Sequence, residues 1–250
     1  MLPPAFLDSA EVEGVKLRER TKRIEMLLGA RAMEALGRAH VTVVGLGGVG
    51  SWCAEALCRS GIGALTLIDS DSVAESNINR QLGALMSTVG RSKAEVLAER
   101  CRDIAPDAAI TAVNAAYSAG SRDILPECDY IADCIDLVSC KLDLIETAMS
   151  RGARIISALG TGNKLDAQQL ALCDLAETRG CPLARVMRRE LRRRGIEHLD
   201  VVYSPEEARD CIAAETPPPG RRSVPGSVIW VPAVAGLLMA EKIVLELGGK

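Results

Sequence analysis

The feature that most constrains this chain is a run of four glycines in six residues, Gly45-Leu46-Gly47-Gly48-Val49-Gly50, at the end of a β-branched stretch, His40–Gly45. A short apolar run that ends in glycines and leads into a helical stretch, Ser51–Ser60, reads as a strand, a tight turn and a helix. Such a turn lets the backbone approach a phosphate closely. The helix start adds unpaired N–H groups and the positive end of its dipole. A second strand, Ala64–Asp69, ends in an acid suited to accept hydrogen bonds from ribose hydroxyls.

The same rhythm continues along the chain. A helical pattern runs from Leu17 to Leu36 with a break at Gly29, and Lys93–Ile104 is a helix closed by Pro106. Strands are expected at Ala109–Val113, Asp129–Cys134 and Arg154–Ser157, with a helix over Lys141–Arg151. Alternating strands and helices predict an α/β, Rossmann-like fold, a mainly parallel sheet with helices on both faces. Beyond Ser157 the sheet is expected to gain C-terminal strands at Gln168–Cys173, Asp200–Ser204 and Val228–Val231. Helices are expected over Pro182–Arg194 and Ala233–Leu247. Residues 1–16 are expected to be poorly ordered and 17–250 to form one domain, with a proline-rich crossover loop at about 204–226.

Composition narrows the function. At 250 residues, 48% apolar and 25% charged, the chain can bury a core without metal or disulfide staples. A net charge of −3 excludes a globally basic nucleic-acid coat but leaves room for a local patch, and 2% aromatic residues argue against base recognition by stacked rings. None of the nine cysteines forms a CxxC pair. Reduced thiols in a cytoplasm are therefore expected, and no zinc. Val228–Leu247 is the most apolar stretch, yet it contains Pro232, Glu241 and Lys242, so a core helix is expected and no membrane contact.

Alone, the glycine loop fits a nicotinamide-dependent oxidoreductase. The polar segment after it argues otherwise. Asp69 to Gln81 brings Asp71, Asn77, Asn79, Arg80 and Gln81 beside the ribose position, and Lys93 follows. Two fixed cations suit a triphosphate undergoing transfer, whereas a dinucleotide pyrophosphate is usually satisfied by the loop itself.

The succession GxGGxG, strand-end Asp, SNxxRQ, Lys and DCxD resembles the ThiF/MoeB/HesA superfamily of ATP-dependent adenylating enzymes. In this chain it reads Gly45, Gly47, Gly48 and Gly50, then Asp69, Ser76–Gln81, Lys93 and Asp133–Asp136. The resemblance implies that Asp69 binds ribose, that Asn77, Arg80 and Lys93 contact phosphates, and that Asp136 holds Mg2+ near the α-phosphate of ATP. Arg23 matches an arginine that reaches the γ-phosphate of a neighbouring subunit, which implies a homodimer. One departure stands out: Leu137 replaces the asparagine that usually follows the last acid.

The C-terminal half resembles the tRNA threonylcarbamoyladenosine dehydratase branch, through Asp174–Thr178, Cys181–Arg185, Pro225–Ser227 and Val231–Gly236. That resemblance implies a tRNA substrate, with a sulfur-relay protein as a candidate partner. A basic helical face, Arg185, Arg188, Arg189 and Arg192, suits a phosphate backbone, although a solvated face paired with Glu190 and Glu197 is the plainer reading. Activation of a small ubiquitin-like or sulfur-carrier protein is the alternative, and Cys211 in the crossover would then be its candidate nucleophile.

Overall fold

The computed structural model describes residues 19–212 and 224–250. The expectation for residues 1–16, and residues 213–223 of the crossover, lie outside the described residues.

Two helices open the described chain, α1 (Lys22–Leu28) and α2 (Ala30–Arg38), separated at Gly29, whose φ of 84° favours glycine. There follow β1 (His40–Val44), α3 (Gly50–Arg59), β2 (Ala64–Ile68), α4 (Lys93–Ile104) and β3 (Ala109–Val113). Next come β4 (Tyr130–Asp133), α5 (Val138–Ser150), β5 (Arg154–Ala158), β6 (Ala171–Asp174), α6 (Pro182–Arg192), β7 (Asp200–Tyr203) and α7 (Trp230–Leu247). Ser92 caps α4 by accepting from the Glu95 amide.

The seven strands form one sheet in the order β3-β2-β1-β4-β5-β7-β6. All neighbours pair in parallel except β6, which runs antiparallel to β7. This is the doubly wound Rossmann-like α/β fold expected from the strand–helix alternation. The sheet separates two apolar cores. Leu57, Leu97, Met239 and Ile243 belong to one, on the side of α3, α4 and α7. Leu144, Ile145, Met187 and Leu191 belong to the other, with α5 and α6.

Two C-terminal expectations need correction. No strand forms at Val228–Val231, because α7 already starts at Trp230. A short apolar run does not distinguish a buried strand from the first turn of a buried helix, and Pro232 is tolerated in that turn. The strand expected from Gln168 begins only at Ala171, because Asp166 accepts from the Gln168 amide and closes a 3-10 turn over Ala167–Gln169. Among the described residues, no helix is long and apolar enough to cross a membrane.

Candidate active site

The chain leaves β1 for β2 and β3 on one side of the sheet, while β4, β5 and β7 lie on the other. The C-terminal ends of β1 and β4 thus frame the crevice where doubly wound sheets bind ligands. The glycine loop follows β1, and the loop Cys134–Leu137 follows β4. They touch directly: a Cβ on Gly45 would lie 2.7 Å from the Cys134 carbonyl oxygen, and one on Gly50 only 1.8 Å from that of Gly45. These two glycines are required by the fold. Gly47 differs, because a Cβ there would meet only Gln81 Nε2, at 4.0 Å. Its missing side chain leaves space beside Gln81.

Asp69 braces the loop. Its Oδ2 accepts from the Leu46 amide at 2.6 Å and its Oδ1 from the Asp71 amide at 2.8 Å. A carboxylate offers about four acceptor positions, so capacity remains for ribose hydroxyls. Lys93, the first residue of α4, reaches back so that its Nζ lies 2.8 Å from Asp71 Oδ2. Asn77 is buried and its Oδ1 accepts from the Ala74 amide at 3.1 Å, which leaves its Nδ2 as the donor for a ligand. Arg80 donates to the Ser76 carbonyl at 2.9 Å and to Asn79 Oδ1 at 2.8 Å.

Trp52 and Ser51, neither of which carries a ligand-type signal in the sequence, hold this segment in place. Trp52 Nε1 donates to the Arg80 carbonyl at 3.1 Å, and Ser51 Oγ both donates to the Gly47 carbonyl and accepts from the Leu82 amide. The far end of the crossover also closes on the site. Asn79 Nδ2 donates to the Ser227 carbonyl at 2.9 Å, and the Gly226 amide donates to Asn163 Oδ1 at 2.6 Å. Cys211 is exposed in the crossover.

Asp136 is exposed on the loop that packs against Gly45. Among the described residues, no three His, Cys, Asp or Glu side chains converge as a metal site. Mg2+ needs only one or two carboxylates when phosphates and water supply the rest, so one exposed carboxylate beside a phosphate loop fits that ion.

Arg23 is not brought to this crevice. It is exposed on α1, just after Arg20, which pairs with Asp107, and Thr21, which packs on Gly61. Gly61 and Asp107 precede β2 and β3, so α1 starts at the opposite end of the sheet.

On α6, Arg185, Arg188, Arg189, Arg192 and Arg193 line an open groove of about 520 Å³. Their situations differ. Arg188 is tied down, with NH1 donating to the carbonyls of Leu175 and Thr178 and to Thr178 Oγ1. Arg189, together with Arg193 and Arg194, holds the Glu190 carboxyl below its usual range. Among the described residues, Arg185 and Arg192 face no carboxylate. Leu183, near the start of α6, packs toward Gly160 just beyond β5. The groove therefore begins at the site end of the sheet.

The glycine loop, Asp69, Arg80, Lys93 and Asp136 thus lie around the crevice at the C-terminal ends of the central strands. The chain belongs to the ThiF family, whose model matches residues 21–249. It is 35% identical over 236 residues to the tRNA threonylcarbamoyladenosine dehydratase of Bacillus subtilis, covering 90% of this chain and 93% of that one. It is 41% identical over 177 residues to the Escherichia coli protein of the same name, 70% of this chain and 66% of that one. The crystal structure of the E. coli tRNA N6-threonylcarbamoyladenosine dehydratase in complex with ATP superposes with a TM-score of 0.83 at 34% identity, over 93% of this chain and 95% of that one.

Proposed function

We propose that this chain catalyses the ATP-dependent dehydration of threonylcarbamoyladenosine in tRNA, closing the threonylcarbamoyl side chain into a ring. The observation that carries this reading is the match to a dehydratase over nearly the full length of both chains, with a nucleotide crevice at the switch point of the same sheet. Residues 17–250 act as one adenylating domain.

The substrate carboxylate attacks the α-phosphate of ATP and expels pyrophosphate. A nucleophile of the same side chain then displaces AMP, for a net loss of one water. Because that nucleophile is already attached to the substrate, proximity lowers the second barrier and no enzyme thiol is needed. Asp69 orients the ribose. The amides of Gly47 and Gly48, with the start of α3, line the phosphates, and Gln81 flanks them. Asn77, Arg80 and Lys93 stabilise the charge that develops on the leaving pyrophosphate. Asp136 would hold Mg2+, which when bound draws charge from the α-phosphate. Arg23 serves the site of the second subunit of a homodimer, and the α6 groove receives the phosphate backbone of tRNA.

The test is incubation with ATP, Mg2+ and tRNA bearing threonylcarbamoyladenosine, followed by nucleoside mass analysis. A product lighter by one water, with AMP and pyrophosphate released, supports the reading. AMP release that needs a small carrier protein and ignores tRNA overturns it.

A further inference from the structure

The buried ion pair between Asp133 and Lys141 has no part in the chemistry above. Both side chains are fully enclosed, each 0% exposed, with Lys141 Nζ 2.8 Å from Asp133 Oδ2. Asp133 ends β4 and Lys141 lies in the first turn of α5, so the pair spans the loop that carries Asp136.

Lys141 Nζ also donates to the Asp133 carbonyl at 3.4 Å, and the shorter bonds of the pair to the turn meet Ile135 from both sides. Lys141 Nζ donates to the Ile135 carbonyl at 2.9 Å, and Asp133 Oδ1 accepts from the Ile135 amide at 3.1 Å. Ser157 Oγ, from β5, donates to Asp133 Oδ2 at 2.7 Å and fixes the carboxylate from behind. The Cys134 amide is held separately, by the Val44 carbonyl at 2.9 Å. The pair therefore governs Ile135 and the residue bonded to it, Asp136.

A buried ion pair is a poor source of stability, because desolvation offsets most of the attraction, and apolar side chains of similar volume often serve as well. Apolar side chains could not hold the N–H and the C=O of Ile135 at once. We infer that Asp133 and Lys141 are positioning residues for adenylation. They clamp the turn after β4 so that the Asp136 carboxylate presents one fixed geometry to the α-phosphate. This inference rests on the role of Asp136 proposed above.

The test combines Asp133→Asn with Lys141→Met, so that no lone charge remains buried. The expected loss in kcat for ATP–pyrophosphate exchange is about 10–100-fold, the usual cost of losing a support behind a metal-side ligand. The KM for ATP should stay within about twofold, because the glycine loop and Asp69 are untouched. Without nucleotide, amide hydrogen exchange over residues 135–137 should accelerate while β4 and α5 keep their protection. Adding Asp136→Asn to the double variant should cost less than it costs the wild type, because the clamp acts through that side chain.

Full additivity with Asp136→Asn, or unchanged exchange over 135–137, overturns the inference. So does a variant that melts earlier but turns over at the wild-type rate. If the double variant does not fold, Ser157→Ala removes a single bond and should show the same kcat loss in smaller measure, about fivefold. Amide exchange needs no tRNA. A wild-type chain without pyrophosphate exchange would sink the adenylation reading, and the exchange result would still judge the clamp.

Discussion

The Lys93 ammonium lies 2.8 Å from the Asp71 carboxylate, with the lysine side chain almost enclosed, at 9% exposure, and the aspartate open to solvent, at 68%. The backbone repeats the connection, as the Lys93 amide donates to the Asp71 carbonyl at 3.0 Å. An ammonium has three donors, so Lys93 can keep Asp71 and still meet a phosphate. Lys93→Met is expected to lower kcat/KM for pyrophosphate exchange about 100-fold, the scale of losing one charge-stabilising donor. Asp71→Asn should change it no more than about threefold, since a pair open to solvent on one side contributes little. Steady-state kinetics at fixed ionic strength measures both.

Asp136 is exposed, so the proposed role of its side chain can be tested with little disturbance of the core. Asp136→Ala is expected to abolish pyrophosphate exchange while the chain still folds, as judged by an unchanged far-ultraviolet circular dichroism spectrum. Exchange at the wild-type rate would remove Asp136 from the site.

Arg23 and Arg80 should complement across subunits. Each alanine variant alone is expected to be inactive. An equal mixture that exchanges subunits freely yields half heterodimers with one intact site of two, about a quarter of wild-type activity. No recovery after confirmed subunit exchange would show that Arg23 serves no neighbouring site.

The α6 groove and Cys211 separate the two kinds of adenylating enzyme. Arg185→Glu with Arg192→Glu should raise the KM for tRNA and spare ATP binding. It should also flatten the log–log salt dependence of tRNA binding by about one unit per lost contact. Arg188→Ala should act differently, lowering the melting temperature, because its guanidinium holds the Leu175 and Thr178 carbonyls. Cys211→Ala should retain most activity. An inactive Cys211→Ala, with tRNA binding indifferent to the arginines, would point to a thioester-forming activator of a carrier protein.

Most of the architecture was legible because its punctuation is local. Lys93–Ile104 is bounded by Ser92 and Pro106, and β1 by its glycines, so short-range chemistry fixes their limits. The start of α7 was not, because Val228, Ile229 and Val231 are β-branched and only tertiary packing makes the segment from Trp230 helical. Within the site, Asp69 and Arg80 stand in a polar segment, with Lys93 following it, where the residue types suggest ligand contacts. Lys141 gave no such signal. A lysine on a helix normally reads as a solvated charge, and its enclosure depends on β5 placing Ser157 behind Asp133.

The close approach of α7 to α3 has a consequence for how the enzyme comes into being. A Cβ on Gly236 would lie 2.3 Å from the Val49 carbonyl oxygen and 2.9 Å from the Cys53 amide, and Pro232 presses on Gly48. The glycine loop is thus shaped on one side by residues translated almost two hundred positions later. A nascent chain still lacking α7 has the glycines but not the wall that sets their conformation. A chain truncated before Trp230 is accordingly expected to bind nucleotide more weakly than the 250-residue chain.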